Sequence, residues 1–436
     1  MNARHLAIIG AGAGLLALAA CGPKPMDPRR QIGPNPYLPP IHQYLVPPMR
    51  VAKVIGWSNG EKPQVAAGLR VEALATGLHH PRSVYTLPNG DILVAESDAP
   101  PTVVNRPKEI VMAMVEKKSH GPGTPGNRIL LVRPGANGAP AQVFVFIDHM
   151  YSPFGMVLVG NDLYIADTDA VIRYPYQTGE THMTAPGVKL VDLPAGPIDH
   201  HWTKSLTASP DGTKLYASVG SNSNITENGL TAERGRAAVW EIDRATGAHR
   251  EYATGLRNPN GLQFEPQTGA LWAVVNERDE LGPDLVPDYL TSVKEGGFYG
   301  WPYSYYGRHL DPRVKPQRPD LVARAIVPDY ALSSHVAPLG LVFDTGTNLP
   351  AAYKGGAFVG EHGSWDRGVM NGYKVVFIPF TNGRPSGMAQ DVVTGFLATQ
   401  DEARGRPVGL ALDATGALLI ADDVGNTVWR VSGASS

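Results

Sequence analysis

Residues 80–96 read HPRSVYTLPNGDILVAE, and this stretch carries the pattern that decides the fold. A Pro or Gly precedes a short apolar run, a polar turn follows, and a second apolar run ends in small or acidic residues. The pattern recurs five more times, at residues 152–167, 204–220, 258–275, 338–360 and 406–422. Apolar runs divided by Pro, Asn, Asp and Gly turns predict pairs of antiparallel strands.

The spacing of the repeats predicts a ring of sheets. The second strands lie near residues 92, 163, 215, 271, 358 and 419, so successive repeats are 52 to 87 residues apart. Each interval has room for two further strands, which makes four strands per repeat. One twisted sheet cannot bury both of its faces, whereas a ring of sheets can. We therefore predict an all-β, six-bladed β-propeller over residues 65–436, with an open sandwich as the alternative.

The composition fits many short strands. The 49 glycines and 39 prolines make up about a fifth of the 436 residues, which is high for a helical protein. The formal net charge of −2 argues against nucleic acid as a partner. Two insertions interrupt the pattern: residues 97–127, with a short helix expected at 107–115, and the aromatic-rich residues 276–335. Long loops on one face often form the walls of a site, although most of these aromatics are expected to be the core of their own loop.

The first 20 residues have the pattern of a lipoprotein signal. Arg4 supplies the positive start, and residues 6–20 form an apolar core too short for a comfortable membrane span. We expect cleavage before Cys21, lipidation of that residue, and a periplasmic protein anchored to a membrane; the alternative is a chance cysteine after an uncleaved anchor. Cleavage removes one arginine and no acid, which takes the net charge from −2 to −3. The Pro-rich residues up to 64 predict an extended tether.

Propellers place their functional sites on the axis, where the innermost strands end. Polar residues just before the repeats are therefore candidates for a site. His200 and His201 precede the third repeat, where a histidine could act as a general base; such a pair is more often a surface or core feature. Arg257 precedes the fourth repeat, and Arg404 and Arg406 precede the sixth. Arginines at equivalent positions predict a site for a polyanion such as a multi-carboxylate ligand, unless each pairs with a nearby acid.

Two more stretches carry functional groups. Residues 276–284 read NERDELGPD and are rich in oxygen ligands, so they predict either a Ca²⁺ site or a metal-free acidic turn. Residues 361–367 read EHGSWDR and add another His and another Arg.

Taken in order, these elements resemble the soluble pyrroloquinoline-quinone (PQQ) glucose/sorbosone dehydrogenases. The shared elements are DHH at 199–201, GLRNPNG at 255–261, GGFYGWP at 296–302 and RGR at 404–406. The resemblance covers residues 65–433 and is nearer to the sorbosone branch. It implies a six-bladed propeller that holds PQQ across its axial mouth. Such an enzyme oxidises an aldose or a sugar aldehyde at the anomeric or aldehyde carbon and passes hydride to PQQ.

The resemblance also implies roles for the candidate residues. His201 matches the catalytic base of the family. Arg257 and Asn258 match the groups that hold and polarise the quinone carbonyls, so Arg257 is assigned to both catalysis and cofactor binding. Arg404 and Arg406 match the pair that binds the quinone carboxylates.

Further positions follow from the same comparison. Arg367 falls near a cofactor-binding lysine of the family. The family binds Ca²⁺ through backbone carbonyls, and the nearest equivalents are those of Arg278 and Asp279, where this sequence has Asn-Glu-Arg-Asp in place of a Gly-Pro step. The positions assigned to the substrate are His200, Asn222 and Trp301.

Two rival classes remain at this point. Calcium-dependent lactone hydrolases need an axial cage of acids, which Glu96, Asp167 and Asp422 could form, but the arginine cluster would repel the metal. A non-enzymatic binding propeller would lack a base beside an anion site. A dehydrogenase also needs an electron acceptor. We expect a respiratory quinone or a periplasmic cytochrome, since the chain has no Cys-x-x-Cys-His haem motif of its own.

Overall fold

The structure is a computed structural model that describes residues 26–44, 49–58, 60–101, 126–135 and 139–434. The signal segment, Cys21 and the short helix expected at 107–115 lie outside these ranges. Within them, no helix is long and apolar enough to cross a membrane.

Among the described residues, six sheets contain four or five strands each. Sheet 1 is formed by Pro81–Thr86, Ile92–Glu96, Arg128–Arg133 and Gln142–Ile147. Sheet 2 is formed by Gly155–Val159, Asp162–Ala166, Ala170–Pro175 and Val188–Asp192. Sheet 3 is formed by Leu206–Ala208, Lys214–Val219, Ala238–Asp243, His249–Thr254 and, in parallel at its edge, Gly297–Phe298.

The other three sheets recruit strands from the N-terminal part of the chain. Sheet 4 is formed by Asn258–Phe264, Leu271–Asn276, Pro287–Ser292, Tyr330–Ser334 and Ile32–Gly33. Sheet 5 is formed by Pro338–Phe343, Ala357–Glu361, Lys374–Ile378, Gln390–Thr394 and Gln64–Val65. Sheet 6 is formed by Pro407–Leu412, Leu418–Asp422, Thr427–Gly433 and Leu69–Thr76.

Short elements complete the described fold. Two-residue and three-residue strands lie at Lys53–Val54, Ser304–Tyr305, His309–Leu310, Phe380–Thr381, Arg384–Pro385, Leu397–Thr399 and Glu402–Ala403. The helical turns are Pro28–Gln31, Leu230–Glu233 and Ala351–Tyr353, and the α-helix is Pro319–Arg324. The predicted all-β class is confirmed.

The first strands of the six sheets are neighbours around a closed ring. Each contacts the first strand of the next sheet, and the first strand of sheet 6 contacts that of sheet 1. The ring is also closed within sheet 6, where Thr427–Gly433 pairs antiparallel with Leu69–Thr76 from the other end of the chain. The two ends of the domain therefore hold each other in place.

Apolar side chains fill each gap between neighbouring sheets. In the second strand of sheet 2, Leu163 and Ile165 pack against sheet 1, while Tyr164 and Ala166 pack against sheet 3. Successive side chains of a strand point to opposite faces, so both faces of every sheet are apolar and buried. Six such clusters lie among the described residues, one for each pair of neighbouring sheets. This packing explains why the second strand of every repeat is a continuous apolar run.

The segment predicted as a tether lies against the sheets over its described residues. Arg50 makes a two-pronged ion pair with Asp401, at 2.9 Å for both bonds. Trp57 donates its indole N–H to Asp422 at 2.7 Å. Three two-residue strands of the segment pair with strands of the domain, at residues 32–33, 53–54 and 64–65. Hydrogen bonds, ion pairs and apolar contacts together hold this part of the chain; Trp57, for example, packs edge-on against Phe396 and Trp429.

The aromatic insertion is shorter than the sequence indicated. Pro287–Ser292 and Tyr330–Ser334 lie inside residues 276–335, but they are the third and fourth strands of sheet 4. Most aromatics of this stretch are buried, as expected for the core of a loop: Tyr289, Tyr299, Trp301, Tyr305 and Tyr306.

Candidate functional site

The candidate site lies where the first strands begin. In each sheet the start of the first strand faces the end of the second, as in the pairs Pro81 with Glu96 and Pro407 with Asp422. We call the residues before the first strands and after the second strands the mouth. Polar side chains at the mouth connect the strand ends of neighbouring sheets through hydrogen bonds and ion pairs.

His201 lies in the loop that enters sheet 3. Its Nδ1 is 2.9 Å from the carbonyl oxygen of Ser221 and 3.0 Å from Ser221 Oγ. A carbonyl can only accept, so Nδ1 carries the proton and Nε2 keeps its lone pair. Burial and the charge of Arg257 hold the pKa of His201 well below its usual value. The imidazole is therefore neutral at neutral pH and can act as a base.

A chain of hydrogen bonds orients the acceptor of His201. Ser221 Oγ donates to the carbonyl of Ser223 at 2.6 Å, and Ser223 Oγ donates to Glu233 Oε1 at 2.7 Å. The amide of Asn222 donates to the other oxygen of Glu233 at 2.6 Å. The carboxylate of Glu233 is buried, and it fixes the loop without touching the imidazole. Sequence reasoning missed Glu233, because nothing near it in the sequence marks it as functional.

Gly220 brings His201 and Asn258 together. A side-chain carbon at Gly220 would collide with both residues, so the absence of a side chain lets both lie against this part of the backbone. Asn258 Oδ1 is buried and has no hydrogen-bond partner among the described residues. The amide of Ser221 donates to the carbonyl of Arg257 at 2.8 Å. The structure therefore places His201, Arg257 and Asn258 in one group.

Arg257 is buried, and the chain itself uses all its donors. Nε donates to the Asn224 carbonyl at 3.3 Å, and Nη1 donates to the carbonyls of Asn276 at 3.3 Å and Glu277 at 2.7 Å. Nη2 donates to Asn224 Oδ1 and Asp279 Oδ2, both at 3.0 Å. A guanidinium has five N–H donors, so this set is complete. Arg257 therefore has a positive charge but no spare hydrogen bond to offer a ligand.

Arg404 and Arg406 have different surroundings. Arg406 is buried and donates Nε to the His362 carbonyl at 3.0 Å and Nη2 to the Gly363 carbonyl at 2.8 Å, while Nη1 has no hydrogen bond to a described residue. Arg404 is more exposed and pairs with Glu61 at 3.1 Å. The first strand of sheet 6 begins only at Pro407. Arg404 and Arg406 therefore lie outside it, and the rule that alternate residues of a strand point the same way does not place their side chains together.

A buried cluster that sequence reasoning missed lies beside Arg406. Arg82 Nη1 and His362 Nε2 contact the same oxygen of Asp423, at 2.6 and 2.8 Å. The guanidinium of Arg82 lies 5.4 Å from the centre of the Trp202 ring, and its Nε has no hydrogen-bond partner among the described residues. Burial and the Arg406 charge lower the pKa of His362 to about 3, so this histidine is neutral. The position of Arg82 at the start of a first strand was the available signal.

Two other predicted cations have acids of their own. Arg367 donates Nη2 to Asp284 at 2.8 Å and Nε to the Val369 carbonyl at 3.2 Å, and burial lowers its pKa. Arg278 is buried 3.3 Å from Asp311, and burial lowers its pKa to about 10. Neither contact joins these arginines to His201.

The three positions assigned to a substrate differ in exposure. His200 is exposed in the loop before sheet 3. The side chain of Asn222 donates to the Ile198 carbonyl and accepts from Asn228 Nδ2 at 2.6 Å. Trp301 is buried and donates its indole N–H to the Asn224 carbonyl at 3.1 Å.

The region expected to hold a metal contains two carboxylates and a histidine. His335 Nδ1 lies 3.4 Å from Asp279 Oδ1 and 3.3 Å from Asp366 Oδ2. The backbone carbonyl of Asp279, which the resemblance assigns to Ca²⁺, accepts a 3.3 Å hydrogen bond from Asn224 Nδ2. A carbonyl has a second lone pair, so this bond leaves the oxygen able to bind an ion.

Solved structures share the fold. An AA12-family carbohydrate-active enzyme of Trichoderma reesei superposes with a TM-score of 0.70 at 21% identity, covering 86% of this chain and 100% of that chain. The PQQ domain of a Coprinopsis cinerea pyranose dehydrogenase gives 0.69 at 20% identity, with coverages of 88% and 100%. A PQQ-bound aldose sugar dehydrogenase of Streptomyces coelicolor gives 0.53 at 16% identity, with coverages of 85% and 99%.

The sequence also has relatives. An uncharacterized protein of Borreliella burgdorferi is 26% identical over 300 residues, which is 66% of this chain and 78% of that protein.

The fold and the mouth define a mostly-β protein whose sheets surround a polar axial site. Within that class, a TrAA12-like family model matches residues 145–287 and 320–434, more than half of the chain, and the chain belongs to this family.

Proposed function

We propose that this chain is an oxidoreductase that transfers hydride from the anomeric or aldehyde carbon of an aldose or sugar aldehyde to PQQ. The observation that carries the proposal is His201, a neutral imidazole with an available Nε2 in a mouth lined by arginines. Family membership supports it, as do two structural neighbours, the PQQ domain from Coprinopsis cinerea and the PQQ-bound enzyme of Streptomyces coelicolor.

The same proposal treats the six sheets as the blades of a six-bladed β-propeller. Two observations support it: the closed ring of first strands and the apolar cluster between each pair of neighbouring sheets. An open sandwich would leave two sheet edges and two outer faces without such clusters.

The residues at the mouth fit a quinone with several carboxylates. Arg82 and Arg406 are buried cations, each with a donor that no described residue uses, and such donors suit carboxylates. Asn258 adds a buried amide with an unpartnered oxygen. In our proposal these residues hold the cofactor, and Arg404 and Arg367 contribute from the periphery.

A metal would complete the cofactor site. We propose that Ca²⁺ is held through the backbone carbonyls of Arg278 and Asp279, as the resemblance implies. A calcium structure of the Trichoderma reesei AA12 enzyme, with a TM-score of 0.69 at 21% identity, supports calcium as the ion.

The mechanism assigns one proton transfer to His201. When bound, PQQ supplies an electrophilic carbonyl carbon that accepts hydride. His201 Nε2 takes the proton of the anomeric hydroxyl, and Ser221 holds the protonated Nδ1. A cyclic aldose that loses a hydride and a proton becomes a lactone, and a hydrated aldehyde becomes an acid. Arg257 stabilises the negative charge that develops nearby through its own charge, without a direct hydrogen bond.

The substrate proposal is a sugar, with sorbosone-like aldehydes as the finer assignment. His200, Asn222 and Trp301 are the proposed substrate positions. Of these, His200 is exposed at the surface, where a sugar can reach it directly, whereas Asn222 and Trp301 would act by holding the loops around it.

A reconstitution assay tests the function. The protein from Gly22 onward is loaded with PQQ and Ca²⁺ and mixed with a redox dye and a panel of aldoses, sorbosone and lactones. Quinone-dependent dye reduction with a sugar would support the proposal. No reduction, with no spectral sign of bound quinone, would contradict it.

A lactone hydrolase or a binding propeller would be the alternative in that case. Two of the three acids proposed for a lactonase metal cage are engaged elsewhere: Glu96 pairs with Arg128 at 2.7 Å, and Asp422 accepts from the indoles of Trp57 and Trp429 at 2.7 and 3.0 Å. Hydrolysis of a lactone without quinone would favour this class.

We also propose that the chain is lipidated at Cys21 and faces the periplasm, where it passes electrons to a respiratory quinone or a cytochrome. The lipobox supports this, and the residue lies outside the described part of the chain. A Cys21→Ala variant that still fractionates with membranes would contradict the lipid anchor.

A further inference from the structure

We propose that Asp279, His335 and Asp366 form a binding site for a divalent first-row transition-metal ion such as Mn²⁺ or Zn²⁺. One ligand atom of each residue lies within 4.8 Å of the others. The imidazole Nδ1 is 3.4 and 3.3 Å from the two carboxylate oxygens. Ligands at about 2.0–2.2 Å from one ion have mutual separations of about this size.

The second nitrogen of His335 has the partner expected of a metal ligand. Its Nε2 lies 3.2 Å from the carbonyl of Gly282, so Nε2 donates. Although burial opposes it, the charges of Asp366 and Asp279 raise the pKa of His335 to about 9, so a metal ion would displace the proton of Nδ1 and take its lone pair between the two carboxylates. Metal-binding histidines usually donate their other ring N–H to a carbonyl or carboxylate in this way, which fixes the ring.

Asp279 is oriented in the same manner. Its Oδ1 faces His335, while Oδ2 accepts from Arg257 Nη2 at 3.0 Å. One oxygen is thus available to an ion and the other is held by a hydrogen bond. The negative charges of Asp279 and Asp366 offset the repulsion between Arg257 and an ion.

Asp366 supplies an independent sign of a missing partner. The residue is only 8% exposed, and its Oδ1 is buried without a hydrogen bond among the described residues. Buried polar atoms in native proteins nearly always have a partner, and a bound ion is one recognised partner where no protein group supplies it. A metal bound by this carboxylate would satisfy the atom.

The ligand set selects the kind of ion. Imidazole with carboxylates suits Mn²⁺, Fe²⁺ and Zn²⁺, whereas Ca²⁺ prefers six to eight oxygen ligands. The site therefore differs from the backbone-carbonyl Ca²⁺ site proposed above. It does not depend on the proposed oxidation, because ion binding can be measured with neither quinone nor sugar present.

The test is metal binding to the intact protein. The full chain is stripped with EDTA and titrated with Mn²⁺, Zn²⁺ or Ca²⁺ alone by isothermal titration calorimetry. We expect one site for Mn²⁺ or Zn²⁺, and at least a roughly 100-fold loss of affinity in Asp366→Asn and in His335→Gln. Asp391→Asn, which removes an exposed carboxylate paired with Lys374, is the matched control and should bind like the wild type.

Two results would overturn the site. If the folded wild-type protein takes up no transition metal, His335 is an imidazolium paired with both carboxylates. If both variants keep wild-type affinity, the ion binds elsewhere. Should the Asp366 variant fail to fold by circular dichroism, ¹⁵N-histidine NMR of the wild type decides, because Zn²⁺ must then shift the Nδ1 signal of His335.

Discussion

The two flanks of the mouth differ in how many guanidinium donors of their arginines are used by the chain itself. On the histidine flank (His201, Arg257 and Asn258), every N–H of Arg257 has an acceptor within the chain. On the arginine flank (Arg82, His362, Arg406 and Asp423), both guanidinium groups retain donors that no described residue uses. A saturated guanidinium is rigid and supplies a fixed charge, whereas an unsaturated one is ready to bind.

The charge balance of the flanks points the same way. The charge of Arg257 is offset by its partner Asp279. On the arginine flank, Asp423 pairs with Arg82, Arg406 has no ion pair among the described residues, and burial keeps His362 neutral. The excess positive charge attracts an anion to this flank and leaves the other free for proton transfer.

The largest expected effect is the loss of the base on the histidine flank. His201→Ala should lower kcat by about 10²–10⁴-fold, because no other group takes the proton, while PQQ affinity is retained. Steady-state dye reduction and a quinone titration measure the two quantities. His149→Ala, at a side chain 95% exposed, is the control. Full activity of His201→Ala would show that the base is another residue.

A displaced base should cost somewhat less. Gly220→Ala puts a methyl group against His201 and Asn258, and misplacing a catalytic group by about 1 Å costs on the order of 100-fold in rate. Gly196→Ala is the matched control, since the nearest atom to its added carbon is 3.8 Å away. An unchanged kcat for Gly220→Ala would mean that the close approach of His201 and Asn258 to Gly220 does not affect the rate.

The arginine flank should be sensitive in affinity and not in turnover. Arg406→Ala removes a buried charged donor, worth about 1.5–3 kcal/mol, so the Kd for PQQ should rise about 10–100-fold. Arg404→Ala breaks an ion pair that is 27% exposed on the arginine side, and its effect should stay within a few-fold. Fluorescence titration with PQQ compares them. Equal losses would show that the two side chains converge on the cofactor after all.

The smallest effect is expected for the residue that orients the base. Ser221→Ala keeps the carbonyl acceptor of His201 and loses the hydroxyl, so kcat should fall only a few-fold.

The pH dependence of activity tests the surroundings of His201. Because burial and Arg257 lower the pKa of His201, activity stays constant as pH falls through 6.5 and declines only below it. A decline of kcat/KM already near pH 6.5 would contradict this environment.

Much of the fold can be predicted from the sequence, because all six sheets must bury both faces of their second strand. Each second strand is buried on both faces, so runs such as residues 92–96 and 418–422 are continuously apolar. The turns carry Gly, Asn and Asp where the chain reverses. The aromatic insertion was misjudged because two ordinary outer strands within it, Pro287–Ser292 and Tyr330–Ser334, lack that apolar signal.

The site was only partly legible. His201 and Arg257 could be identified because they precede the first strands of sheets 3 and 4, and Asn258, the first residue of its strand, was identified through the family resemblance. Arg82 and Asp423 could not be paired, since 341 positions separate two side chains that the ring of sheets brings to 2.6 Å.

The sequence by itself determined the all-β class and the six repeats, because burial and turn chemistry act over a few residues; the assignment of His201 as the base is a prediction from the family resemblance. Tertiary structure alone decided which arginines have all their donors used, that Glu233 fixes the loop beside His201, and that Asp279, His335 and Asp366 meet. These depend on closure of the ring, which converts distant strand ends into neighbours, and no local pattern encodes which ends those will be.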